Sequence, residues 1–317
     1  MFKIIFLGTP DFAAIILEKL IKSLYKPIAC LTQPDKKVKR KQKLNPPPVK
    51  ILCQKHKIPV LQFEKIRDKK AILAIKNLKL DIIIVAAYGQ ILPKEILELP
   101  KFGCINIHAS LLPKYRGASP IQYAILSGDK ETGVTLIKMA EKMDAGPILA
   151  QKVQKIYNND TALTLHNKLA NLGTSLLLEI LPKIFKKKIK PKLQDETKAT
   201  YTKILKKEDG KINWQNSAQN IKRQTQAFTP WPGSYTYFRK NSIKILLKIK
   251  KVHILNFKVR CAKNANPGDL FKTTDKKLAV SCGQGSLILE KVQVEGKKEI
   301  SGSDFLRGYP LIADLCE

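Results

Sequence analysis

Three short runs in the first ninety residues restrict the fold more than anything else in the chain. Ile4-Ile5-Phe6-Leu7, Ile28-Ala29-Cys30-Leu31 and Ile82-Ile83-Ile84-Val85-Ala86 are apolar at every position. A strand sends successive side chains to opposite faces, so an uninterrupted apolar run needs cover on both sides of its sheet. Helical stretches lie between the runs. Thr9-Pro10-Asp11 has the order of a cap, a first-turn proline and a first-turn acid, which predicts a helix from Asp11 to about Ser23, and Ile51 to His56 reads as the end of another. Strands at Lys3 to Gly8, Ile28 to Thr32 and Asp81 to Ala87 then belong to an α/β domain with a doubly wound, mostly parallel, Rossmann-like sheet. Gly103 to His108, Gly133 to Met139 and Ile148 to Val153 continue it as strands, with a helix from Ser119 to Ser127.

The pattern changes after a helix at Thr164 to Leu181, whose Leu165, Leu169, Leu172 and Leu176 recur at helical spacing. A lysine run, Pro191 and few long apolar side chains give the next stretch the composition of a linker. Beyond it come one short helix, Ser217 to Ala227, and β-type runs at Ser234 to Phe238, Ile243 to Val252, Leu278 to Cys282 and Leu287 to Val294, punctuated by Gly and Pro. These predict a smaller, OB-like β-barrel. The expected organisation is therefore a domain over 1–189, a linker over 190–207 and a second domain over 208–317.

Several function classes recede on the same reading. The first βα turn, Gly8-Thr9-Pro10, lacks the G-x-G-x-x-G of a dinucleotide site, and no G-x-x-x-x-G-K-[ST] phosphate loop occurs. The six cysteines, Cys30, Cys53, Cys104, Cys261, Cys282 and Cys316, have no metal-site spacing, which predicts reduced thiols and no bound metal. Without a signal-peptide pattern or an apolar run long enough to span a bilayer, the expected location is the cytoplasm, with no membrane and no obligate protein partner. A net charge of +32 invites a polyanion, but only seven of the 58 basic residues are Arg, and an AT-rich genome produces the same lysine bias. Local clustering is the better guide.

Chemistry concentrates in Cys104-Ile105-Asn106-Ile107-His108. Strand alternation puts Asn106 and His108 on one face, at the C-terminal end of the strand, where open α/β sheets bind ligands. Alone, such residues are more often a hydrogen-bonded core histidine and a turn cap. Side by side, an amide and an imidazole can both stabilise an oxyanion, and the imidazole can also pass a proton.

Asn106-x-His108 followed by Ser110-Leu111-Leu112-Pro113, Tyr115-Arg116-Gly117 and Ser119-Pro120-Ile121 resembles the folate-dependent formyltransferases. The similarity extends through Phe6 to Phe12, Gln33-Pro34-Asp35, Pro48-Val49-Lys50, Ala87 to Pro93, Met143-Asp144-Ala145-Gly146, Ile212-Asn213-Trp214, Phe228-x-Pro230-Trp231-Pro232-Gly233 and Cys282-Gly283-x-Gly285. It implies a catalytic set of Asn106, His108 and Asp144, with 10-formyltetrahydrofolate as formyl donor. Ser110, Leu111, Leu112 and Pro113 would line the folate pocket, with Gln90, Ile91 and Leu92 as an opposite wall. The implied acceptor is the α-amine of methionine esterified to initiator tRNA. A basic loop with Lys36, Lys37, Lys39, Arg40, Lys41 and Lys43 is placed to meet that tRNA, and Arg40 matches a family arginine that selects the initiator. Glycines that often flank this arginine are Lys39 and Lys41 here. A transferase acting on a small amine would use the same three residues; the basic loop and C-terminal motifs favour tRNA, with the second domain as a further docking surface.

Overall fold

The computed structural model describes residues 2–38, 43–240, 243–255, 266–309 and 315–316. The chain divides into two units. The first comprises Met1–Pro120, Lys130–Ile156 and Leu165–Lys203; the second comprises Ile121–Asp129, Tyr157–Thr164 and Ile204–Glu317. As far as the strand that carries Asn106 and His108 the elements are β1 (Ile4–Gly8), α1 (Asp11–Ile21), β2 (Ala29–Thr32), β3 (Lys36–Val38), β4 (Lys43–Asn45), α2 (Pro48–Lys55), β5 (Val60–Gln62), α3 (Lys69–Asn77), β6 (Ile82–Ala86), α4 (Lys94–Leu97) and β7 (Cys104–His108). There follow β8 (Arg116–Gly117), α5 (Pro120–Ser127), β9 (Glu131–Lys138), β10 (Ile148–Lys155), α6 (Ala162–Phe185) and β11 (Tyr201–Thr202).

The main sheet of the first unit runs in the order β10-β9-β7-β6-β1-β2-β5. Strands β7, β6, β1, β2 and β5 are mutually parallel, whereas β9 is antiparallel to β7 and β10 to β9. The three uninterrupted apolar runs occupy the parallel part, and every residue of β1, β2 and β6 is buried. Fully burying one Leu, Ile or Phe side chain contributes roughly 1.5–3 kcal/mol, so these strands carry much of the unit's stability. At the edge, β10 leaves its Lys and Gln side chains largely exposed, which discourages further strand pairing. One local expectation changes. Pro10, not Thr9, is the N-cap of α1; the Thr9 hydroxyl instead donates to the Tyr88 carbonyl at 2.8 Å and ties the end of β1 to the end of β6. Asp11 does occupy the first turn.

The second unit contains α7 (Ala218–Ala227), β12 (Ser234–Lys240), β13 (Ile243–Ile254), β14 (Leu270–Lys272), β15 (Leu278–Ser281), β16 (Ser286–Val294), β17 (Glu299–Ser301), α8 (Gly302–Gly308) and β18 (Leu315–Cys316). Its antiparallel, OB-like sheet runs β14-β15-β16-β13-β12-β18, with β17 on β16. Register shifts on β13 between Ile249 and Val252 let the long strand bend over a core of Trp214, Phe238, Leu247, Leu289 and Phe305. Two of the sequence motifs meet here. The buried Trp214 donates its Nε1–H to Thr236 Oγ1 at 3.1 Å, and its carbonyl accepts from Gly283 N at 2.8 Å. No described helix is long and apolar enough to cross a membrane.

Candidate active site

Strand β7 is central in its sheet, paired with β6 on one side and β9 on the other, so its side chains are fixed by two neighbours. His108 is buried and Asn106 half-buried. Asp144 comes from the connection between the antiparallel strands β9 and β10 and adopts a φ of +50°, a left-handed conformation that Asp tolerates better than most residues. Its Oδ1 accepts from Asn106 Nδ2 at 3.3 Å, and its Oδ2 accepts from the Gly117 backbone N–H at 2.8 Å. The same Oδ2 lies 3.6 Å from His108 Nδ1, too far for a good hydrogen bond but close enough for its charge to act on the ring. On the other side, His108 Nε2 is 2.9 Å from the Tyr115 carbonyl. A carbonyl only accepts, so Nε2 carries the hydrogen and Nδ1 is the nitrogen facing the carboxylate. The three polar residues expected from the sequence are thus brought together, with two groups not foreseen in this role: the Tyr115 carbonyl and the Gly117 amide.

A second layer holds that centre. Arg116 is wholly buried. Its guanidinium donates from Nη2 to Glu196 Oε1 at 2.7 Å, from Nη1 to Glu196 Oε2 at 3.1 Å, and from Nε and Nη2 to Gln194 Oε1. Gln194 Nε2 in turn donates to the carbonyls of Asp144 and Gly146, both at 2.7 Å. The Arg116 guanidinium, followed by Lys142, holds the Glu196 carboxyl down at about 2. A buried arginine needs a carboxylate partner, but the burial of Arg116 shows only in the fold, so the sequence offers no signal for this layer.

Residues expected to line the folate pocket divide into two kinds. Ser110 and Leu112 are buried, and their backbone is already engaged: Thr135 Oγ1 donates to the Ser110 carbonyl and accepts from Leu112 N, and Gln151 Nε2 donates to the Leu112 carbonyl. The Ser110 hydroxyl donates to the Lys114 carbonyl at 2.6 Å, closing the turn through Pro113. Leu111 is half-buried. On the other stretch, Leu92 is packed in the core with Tyr88 and Ile96, whereas Ile91 is 72% exposed. The Gln90 side chain is occupied in bracing residues 63–66, accepting from Ile66 N and donating to the carbonyls of Phe63 and Glu64.

The basic segment is a two-stranded antiparallel hairpin of β3 and β4, with Lys36 opposite Asn45 and Val38 opposite Lys43. Lys36 is exposed. Lys37 and Lys43 belong to the paired strands, and Lys39, Arg40 and Lys41 lie outside the described residues. The base of the hairpin is anchored by Asp35, which takes hydrogen bonds from Lys50 Nζ and Gln62 Nε2 at 2.8 Å. The sequence pairs Gln33-Pro34-Asp35 and Pro48-Val49-Lys50 therefore serve one junction. Among the described residues, no group of three His, Cys, Asp or Glu side chains is gathered to hold a metal ion.

Residues 2–181 match the formyl transferase family model, and residues 204–310 match the formyl transferase C-terminal domain. A methionyl-tRNA formyltransferase of Geobacillus sp. (strain WCH70) is 44% identical over 309 residues, covering 97% of this chain and 95% of that protein. One from Sulfurihydrogenibium sp. (strain YO3AOP1) is 44% identical over 314 residues, covering 98% of each. Among solved structures, the Helicobacter canadensis N-formyltransferase in complex with folinic acid and dTDP-3-aminofucose superposes with a TM-score of 0.62 at 22% identity, over 91% of this chain and 99% of that one. At that identity the likeness is one of fold.

Proposed function

The chain belongs to the methionyl-tRNA formyltransferase family, and we propose that it moves the formyl group of 10-formyltetrahydrofolate onto the α-amine of methionine carried by initiator tRNA. One observation carries the assignment of the centre: a single carboxylate, Asp144, meets Asn106 and His108 at the end of the β7 strand. The folate supplies an activated amide, so the protein has to bind, orient and balance charge rather than provide a nucleophile.

As the amine nitrogen bonds to the formyl carbon, the carbonyl electron pair moves onto oxygen. Asn106 has a second Nδ2 hydrogen beyond the one given to Asp144, and the Nε2–H of His108, shared at rest with the Tyr115 carbonyl, can turn to the stronger acceptor that forms. Both donors then stabilise the oxyanion. Asp144, beside both donors, takes up the proton shed by the attacking nitrogen. Collapse restores the carbonyl and breaks the bond to the folate nitrogen, which leaves with the proton that Asp144 took up and so returns the carboxylate to its starting state. Exposed Ile91 and half-buried Leu111 provide apolar surface suited to a flat ring. Incubating the chain with 10-formyltetrahydrofolate and charged initiator and elongator tRNAs tests the reading: formyl-methionine should accumulate on initiator tRNA. Formylation of small amines with none on tRNA would overturn it.

A further inference from the structure

Asp144 stands on a backbone conformation that few side chains favour, and the groups that hold it there come from a stretch fifty residues later. Gln194 spends its donor capacity on the carbonyls of Asp144 and Gly146, since an amide nitrogen has only two hydrogens. Its oxygen is pinned by Arg116, whose charge is in turn satisfied by Glu196. The same stretch controls the carboxylate from its other side. Strand β11 pairs in parallel with β8, setting Thr202 beside Gly117, and the Gly117 N–H is the one that binds Asp144 Oδ2. A Cβ on Gly117 would lie 2.5 Å from the Thr202 carbonyl oxygen, so the approach needs glycine.

We infer that Gln194 is a positioning residue for formyl transfer, aiming the Asp144 carboxylate at Asn106 and His108, and that the segment from Gln194 to Thr202 is part of the catalytic apparatus. The inference rests on the formyl-transfer reading of the centre. Released from Gln194, the connection is free to relax from the left-handed region and draw Asp144 Oδ2 away from an imidazole already 3.6 Å distant. Displacement of a reacting group by about 1 Å costs up to roughly 10²-fold in rate.

The informative variant is Gln194→Glu, which keeps an oxygen for Arg116 and, ionised, has no hydrogen to give the two carbonyls. Its kcat should fall by about 10- to 100-fold, with KM for folate and for tRNA little changed. In an Asp144→Asn background the same substitution should change kcat by less than about 2-fold, because its route to the chemistry is already cut. Equal losses in both backgrounds, an unchanged kcat, or a loss that merely tracks the folded fraction would overturn the inference. Hydrogen exchange of the Gly117 amide gives a readout independent of turnover: Gln194→Glu should accelerate it, and an unchanged rate counts against positioning. If the unmodified chain formylates no charged tRNA while Gly117 exchange still responds, the functional reading fails and the placement of Asp144 stands.

Discussion

Asn106 and His108 are two residues apart on a strand locked between two others, so truncating either side chain leaves the sheet in place. Asn106→Ala or His108→Ala should each reduce formyl transfer by about 10²–10³-fold, the cost of one oxyanion donor, with an unchanged circular dichroism spectrum. Near wild-type turnover in either would remove that residue from the mechanism. Because both act on one intermediate, the double variant should lose less than the product of the single losses. Glu196 offers a pH test one step further out. Its carboxyl is held at about 2 by Arg116 and then Lys142, below the ordinary 4.5. A carboxyl depressed on folding contributes stability that is fully present above its unfolded value and is lost as pH falls from there through the folded one. Glu196→Gln should therefore melt below the wild type at neutral pH, with the gap closing as pH falls from 4.5 towards 2. A gap constant across that range would mean that the ion pair with Arg116 does not contribute.

At the scale of elements, the hairpin of β3 and β4 is a basic arm set on the Asp35, Lys50 and Gln62 junction. Arg40→Ala should lower the preference for initiator over elongator tRNA in competition assays, more than Lys36→Ala does. An equal loss on all tRNAs would make Arg40 a plain phosphate contact. This arm also marks a limit of sequence reading. Strands β1, β2 and β6 were legible because burial on both faces leaves an uninterrupted apolar signature. The hairpin was not, since Lys36-Lys37-Val38 and Lys43-Leu44-Asn45 carry no apolar period. Helix α3 was hidden for a related reason: of its nine residues only Ala71 and Ile75 are buried. In the site, alternation along β7 was enough to put Asn106 beside His108. Asp144 required the family resemblance, because its carboxylate arrives from another strand connection. Gln194 and the pairing of β8 with β11 join positions about eighty residues apart, and local pattern holds no trace of such contacts.

For the whole molecule, the question is whether a net charge of +32 is functional or a by-product of lysine-rich coding. Placement argues for function in each unit. The first concentrates six basic residues in and around one hairpin. In the second, Tyr235 and Tyr237 alternate with the buried Thr236 and Phe238 on β12, Lys248 lies opposite Tyr235, and Lys244 Nζ sits 4.5 Å above the Tyr237 ring, so cations and aromatic faces share one side of the sheet. A protein that neutralises phosphates releases counterions, and its affinity then falls linearly with salt on logarithmic axes, by roughly 10³-fold between 50 and 200 mM for about six contacts. Titrating tRNA binding against salt should give such a slope, while KM for the folate changes little. Replacing Lys36, Lys37, Lys39, Lys41 and Lys43 with Gln should make the slope shallower. If the slope survives that replacement intact, the hairpin charge does not meet the tRNA, and the lysine excess there is a matter of coding bias.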